Sequence, residues 1–116
     1  IFQETTLTPE DDMEGMVEYG LSVVNNEPEE ALRMYHEAMN LYEGNDRKYP
    51  LPVEIIDLSI AIVLNIAKVD IQQAINLLDI IEVEEFRIET IDNLIEKTDD
   101  EKYKIVLEKM KEEGLE

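Results

Sequence analysis

A chain of 116 residues is long enough to bury one core and too short for two domains of ordinary size. Its 29 acidic and 10 basic side chains leave a formal net charge of −19, a surface that repels nucleic acids and anionic membranes and attracts basic partners. Cysteine is absent, which excludes disulfides, thiolate chemistry and the usual structural zinc sites, and fits a reducing, cytoplasmic setting.

Residues 1–8 read as an extended N-terminal segment and 9–116 as a single all-helical domain. The chain opens on Ile1 rather than Met, as a piece of a longer protein would. In "TLTPEDD", Thr8 is placed as an N-cap, Pro9 as the first helical residue, and Glu10 and Asp11 as negative charge on the first turn. Met13, Met16, Val17, Gly20, Leu21 and Val24 then share one helical face. The pattern breaks at "NNEP", where Asn26 is expected to cap a second helix beginning near Glu27. That helix carries a stripe of Ala31, Leu32, Tyr35, Ala38, Met39 and Tyr42, with Gly44 expected just past its end.

After a loop with two prolines, Pro52 is expected to open the most apolar segment of the chain. A membrane span needs about 20 predominantly apolar residues. This segment is shorter, and Glu54, Asp57, Ala61, Asn65 and Lys68 trace one narrow polar stripe along it. A helix with one thin wet edge is the covered helix of a bundle, not a membrane span. Asp70 and Gln73 have capping-box spacing and start a fourth helix, with Ile71, Ala74, Ile75, Leu78 and Ile81 on its stripe. Phase is lost around "EVEEF", and a fifth segment carries Phe86, Ile91, Leu94 and Ile95. Thr98 and Glu101 are expected to cap a last helix through Tyr103, Val106, Leu107 and Met110, ended by Gly114. No stretch alternates with a period of two. The pattern predicts an all-α protein of about six helices in antiparallel hairpins, forming a helical bundle or a short stack.

"EALRMYHEAMNL" resembles the second helix of a tetratricopeptide repeat, with Ala31, Tyr35 and Ala38 where that family has a small, an aromatic and a small residue. The resemblance implies that Gly20 is the small residue of the first helix, and "QQAINLLDII" repeats the idea faintly through Ala74 and Leu78. It covers about residues 13–44, and more faintly 53–82. Ala31 and Ala74 are 43 residues apart, against a family period of about 34, and the last hairpin lacks the pattern.

Chemistry-bearing motifs are few. His36 is the only histidine, which cannot supply the paired Glu-x-x-His motifs of a di-iron bundle. Ser22 and Ser59 are the only serines, neither in a glycine-rich elbow, and "TDDEK" lacks the glycine and spacing of a calcium loop. The expectation is a protein that is not an enzyme and has no cofactor, metal or catalytic residues.

Binding remains. An adaptor or chaperone-like module would hold a basic or amphipathic segment of another protein, with no direct nucleic-acid or membrane contact. Two surfaces offer themselves. The first 32 residues hold nine acids and no cation, and Asp11, Asp12, Glu14, Glu18, Glu27, Glu29 and Glu30 form its acidic strip. Leu77, Ile80 and Val83 lie off the main stripe of the fourth helix and form an apolar face, for a partner or for a homodimer. The alternative is an acidic mimic of DNA, of the kind found in phages and mobile elements. There, carboxylates on turns about 5.4 Å apart imitate backbone phosphates and block a DNA-binding protein.

Overall fold

The structure, a computed structural model, describes residues 8–115, with side chains described through 113. The expected extended segment at 1–8 lies, but for Thr8, outside the described residues. Among the described residues there are six α-helices, one short 3-10 turn and no strand. The fold is all-α, as the periodicity predicts. Packing divides the chain into two units, with the division between Leu58 and Ser59, inside the third helix.

In the first unit, α1 (Pro9–Val23) and α2 (Pro28–Gly44) pack against each other as a hairpin. The start of α1 is a full capping box. The Thr8 hydroxyl accepts from the Asp11 amide at 3.1 Å, and the Asp11 carboxylate accepts from the Thr8 amide at 3.2 Å. Met13, Val17, Gly20 and Val24 are buried on the expected face of α1, as are Ala31, Tyr35 and Ala38 on α2. Met34, off the expected stripe, is buried as well.

The boundary between these helices differs from expectation. Asn26 does not cap α2: its amide donates to Val23 O in the closing turn of α1. Pro28 takes the first helical position, and the steric demand of proline on its predecessor holds Glu27 at φ −136°, ψ 70° as an N-cap without a side-chain bond. Gly44 does not follow the helix but ends it, and Asn45 is the C-cap. The left-handed turn falls instead on Asp46 (φ 57°) and Arg47 (φ 58°). The amides of Asn45, Asp46 and Arg47 satisfy the carbonyls of Leu41, Glu43 and Tyr42. Aspartate tolerates this conformation. Arg47 is held in it by two bonds to the Glu43 carboxylate, at 2.7 and 3.2 Å, and by stacking 5.7 Å from the Tyr42 ring centre.

α3 (Glu54–Ala67) begins two residues after Pro52, because Pro52 and Val53 form a tighter entry turn whose carbonyls accept from Ile55 and Ile56. Within the first unit, Leu58 of α3 and Met34 of α2 both border Gly20. A methyl group added at Gly20 would stand 3.0 Å from Leu58 Cδ2 and 3.5 Å from Met34 Cβ. Ile55 is buried too.

In the second unit, the rest of α3 buries Ser59, Ile62, Val63, Asn65 and Ile66. Asn65, on the expected polar stripe, is buried because its amide closes back on the Ala61 carbonyl at 2.8 Å and its oxygen accepts from Lys68 Nζ at 3.2 Å. α4 (Ile71–Leu77) starts at an Asp70 cap that accepts from the Gln73 amide, and runs into a 3-10 turn at Leu78–Ile80. Ala74, Ile75, Leu78 and Ile81 are buried as expected. α5 (Glu84–Lys97) packs against α6 (Glu101–Leu115). Ile91 and Leu94 are buried, but Phe86 is exposed, and Thr90 takes the core position one turn later with its hydroxyl on the Phe86 carbonyl.

The cap of α6 is also displaced. Thr98 is already bonded to Leu94 O as the C-cap of α5, so Asp100 caps the last helix, its carboxylate accepting from the Lys102 amide at 2.9 Å. Leu107 is buried, Val106 is exposed, and the helix passes Gly114 to Leu115.

Two glycines in α1 make opposite expectations. Gly15 has no neighbour within 4 Å of an added methyl, so Gly15→Ala should stabilise the protein by about 1 kcal/mol through helix propensity. Gly20→Val should destabilise it by roughly 1–3 kcal/mol through overpacking against Leu58. Urea unfolding of the two variants measures both, and equal effects would show that Gly20 is not a packing constraint.

Tyr35 is 6% exposed while its neighbour His36 lies on the solvent side, edge-on to the Tyr35 ring at 5.6 Å. Tyr35→Ala should therefore cost on the order of 3–5 kcal/mol. His36→Ala should stay within about 0.5 kcal/mol of the parent. Thermal and urea unfolding of the pair checks which face of α2 is the buried one.

Candidate functional site

The amphipathic pattern of α1 turns its apolar stripe inward, and the same periodicity turns Asp11, Glu14 and Glu18 outward as one exposed row. Glu14 and Glu18 are one turn apart with no cation on the helix. Asp11 belongs partly to the fold, since its carboxylate closes the cap on Thr8. Asp12 is half-buried and out of phase with the row. On α2, Glu27 and Glu29 are exposed at the helix start. The sequence-predicted strip is therefore two exposed groups of carboxylates, one on each helix of the hairpin, with Asp12 outside both.

Glu30 has a different setting. It is half-buried and forms the centre of a network across the hairpin. Tyr19 of α1 donates its phenol to Glu30 Oε2 at 3.3 Å, and Arg33 approaches both Glu30 oxygens at 2.9 and 2.7 Å. Arg33 also pairs with Glu37, one turn further on. The hydrogen bonds and charge of Arg33, together with the Tyr19 hydroxyl, hold the Glu30 carboxyl below its ordinary value. The negative charge of Glu30 pushes the Tyr19 phenol up, and the Glu30 hydrogen bond raises the Arg33 guanidinium. All these groups are solvent-accessible, so the network orients side chains more than it stabilises the fold.

Arg33 is the one cation in residues 9–44, and it is committed to two carboxylates. Beside the paired Glu30 lies the Tyr19 ring, 45% exposed. Sequence patterning missed Tyr19, because it falls off the apolar stripe among acids. Its signal is the eleven-residue separation from Glu30, which only hairpin packing converts into contact.

The apolar face expected at Leu77, Ile80 and Val83 falls on the bend from α4 into α5, and each of the three is half-buried. Among the described residues the most exposed large apolar side chains are elsewhere: Val69 at 86%, Val53 at 76% and Ile105 at 62%. Among the described residues, no group of three or more His, Asp or Glu side chains converges as a metal site would, and no helix is long and apolar enough to cross a membrane. Comparison with protein-family models, curated proteins and solved structures finds no match to this chain.

The network has a defined pH response. A folded-state value below the unfolded one makes the Glu30 contribution present above the ordinary carboxylate range and lost as pH falls through its folded value. The Tyr19 phenol is shifted the other way, so its contribution holds below its ordinary value and is lost as pH rises beyond it. In Glu30→Gln, Tyr19 should titrate closer to an ordinary phenol and the acid limb of the stability profile should flatten. Ultraviolet titration of the parent, Glu30→Gln and Tyr19→Phe proteins assigns the transition. An unmoved Tyr19 in Glu30→Gln would mean the hairpin network does not form in solution.

Proposed function

We propose that this chain is a non-enzymatic interaction module whose α1–α2 hairpin receives a basic, amphipathic segment of another protein. The observation that carries the reading is the exposed Tyr19 ring among carboxylates on a hairpin whose single cation is already neutralised. Exposed Glu14, Glu18, Glu27 and Glu29 supply attraction for lysine or arginine. The phenol ring supplies apolar contact and cation–π capacity. The half-buried Leu77, Ile80 and Val83, in the second unit, are a separate candidate apolar contact, independent of the hairpin. The likeness of the hairpin to a tetratricopeptide unit, through Gly20, Ala31, Tyr35 and Ala38, belongs to this proposal, since such hairpins present helix faces to peptide segments.

The row of Asp11, Glu14 and Glu18 favours one competing reading, a mimic of backbone phosphates that occupies a DNA-binding groove. The two readings separate on apolar contact. A phosphate mimic binds through exposed charges alone, which salt screens within about 10 Å at 0.1 M. A module that grips an amphipathic segment keeps part of its affinity when charges are screened.

The test uses a labelled amphipathic lysine–leucine helix and a scrambled peptide of the same composition. The protein should bind the amphipathic peptide at least about tenfold tighter than the scramble, and retain that preference at high salt. Joint charge reversal of Glu14, Glu18, Glu27 and Glu29 should remove binding while circular dichroism stays unchanged; Asp11 is spared because it caps α1. Tyr19→Ala should weaken the amphipathic peptide selectively, and Leu77→Asp reports on the second contact. Equal binding of both peptides, collapse with salt, and release of a DNA-binding protein from duplex DNA would overturn the module in favour of the mimic.

A further inference from the structure

The second unit contains a cleft of about 490 Å³ where the turn from α3 into α4 faces the turn from α5 into α6. Its volume is that of a small-molecule site. The walls are aliphatic, from Leu64, Ile71 and Leu94, and Val69 stands at the opening as the most exposed large apolar side chain among the described residues. Two cations line it, Lys68 and Lys97, against one carboxylate, Asp99.

That balance is unusual for this chain, where acids outnumber bases by 29 to 10. Lys68 donates one N–H to Asn65 Oδ1 at 3.2 Å, which leaves two donors. Among the described residues, Lys97 Nζ meets no carboxylate. Asp70 and Asp100, next in the chain to lining residues, are not part of the lining, and each has one carboxylate oxygen on a backbone amide, of Gln73 and Lys102 respectively.

We propose that this cleft binds a small, singly charged amphiphile, an aliphatic carboxylate of medium chain length. Among the lining side chains, two ammonium groups against one carboxylate leave a single positive charge, which matches one carboxylate and not a phosphate ester chain. The net charge of −19 repels a polyanion in proportion to its charge, so nucleic acid, an anionic membrane or an acidic protein surface is kept away while a monoanion is penalised least. A cationic amphiphile would leave both lysines opposed to like charge, and a neutral alkyl chain would leave them unmatched. The aliphatic walls and Val69 cover the tail. The site lies in the second unit and does not depend on the reading of the α1–α2 hairpin.

The experiment is titration of decanoate, and separately of decyltrimethylammonium, into isotope-labelled protein at neutral pH, followed by amide chemical shifts. Decanoate should move the amides of Ala67, Lys68, Val69, Ile71 and Lys97 in a saturable way. The cationic probe should not saturate those positions. The double variant Lys68→Glu/Lys97→Glu should weaken decanoate at least about tenfold, and Lys68→Arg/Lys97→Arg should bind it as the parent does. Cleft amides that stay unmoved, equal occupancy by the cationic probe, or unchanged decanoate affinity in the folded double-reversal variant would each overturn the proposal. The comparison of the two probes on the parent protein decides the matter even where a variant folds poorly.

Discussion

Everything in the first unit depends on how closely α1 can approach the aliphatic start of α3. The absent side chain at Gly20 lets Leu58 lie where a methyl group would stand only 3.0 Å away, with the Met34 β-carbon of α2 close by on the same spot. Three helices thus meet at one residue, and the meeting is made by removing atoms, not by adding a bond. Met13, Val17, Ala31 and Ala38 extend the same seam, with the two alanines keeping α2 close. Glycine within a helix carries a conformational cost of about 1 kcal/mol relative to alanine. The packing it permits offsets that cost at Gly20, whereas nothing surrounds Gly15 to do so.

The burial pattern was largely readable because helical periodicity depends on side-chain polarity alone. Val17, Tyr35, Ile75, Leu94 and Leu107 are where their spacing places them. Helix ends were read less well, because a cap depends on backbone geometry several residues away. Thr98 has the right spacing to Glu101 but is already held by the preceding helix, so Asp100 takes its place. Asn26 is a better capping residue than Glu27, yet Pro28 fixes the start of α2 regardless. The Tyr19–Glu30 contact and the lysine-lined cleft are pairings between distant segments. Such pairings exist only once the chain is packed, and no local pattern announces them.

The acidic excess also has a structural share. Glu10, Asp11 and Asp12 open α1, Glu29 and Glu30 open α2, Glu54 and Asp57 open α3, Glu84 and Glu85 open α5, and Glu101 opens α6. Each faces the positive end of a helix dipole, where a carboxylate is favourable without any partner. The opposite ends are not balanced: among the described helices only α5 has a basic residue, Lys97, in its last turn. The negative surface is thus partly a by-product of how the helices start. Within α1, the carboxylates that this leaves unexplained are Glu14 and Glu18, in the middle of the helix.

The left-handed pair at Asp46 and Arg47 has a consequence for how the chain can be cut. No lysine or arginine precedes Arg33, and Arg33 sits inside α2 with its guanidinium engaged. Arg47, though paired with Glu43, and Lys48 lie outside the helix, exposed in the turn that follows it. Loops of this kind are the preferred sites of nicking. In the described part of the N-terminal half a trypsin-like protease therefore meets its loop site at Arg47 and Lys48, and a cut there leaves α1 and α2 joined in one piece. The distribution of cations leaves such a protease no site in the connection between the two acidic helices.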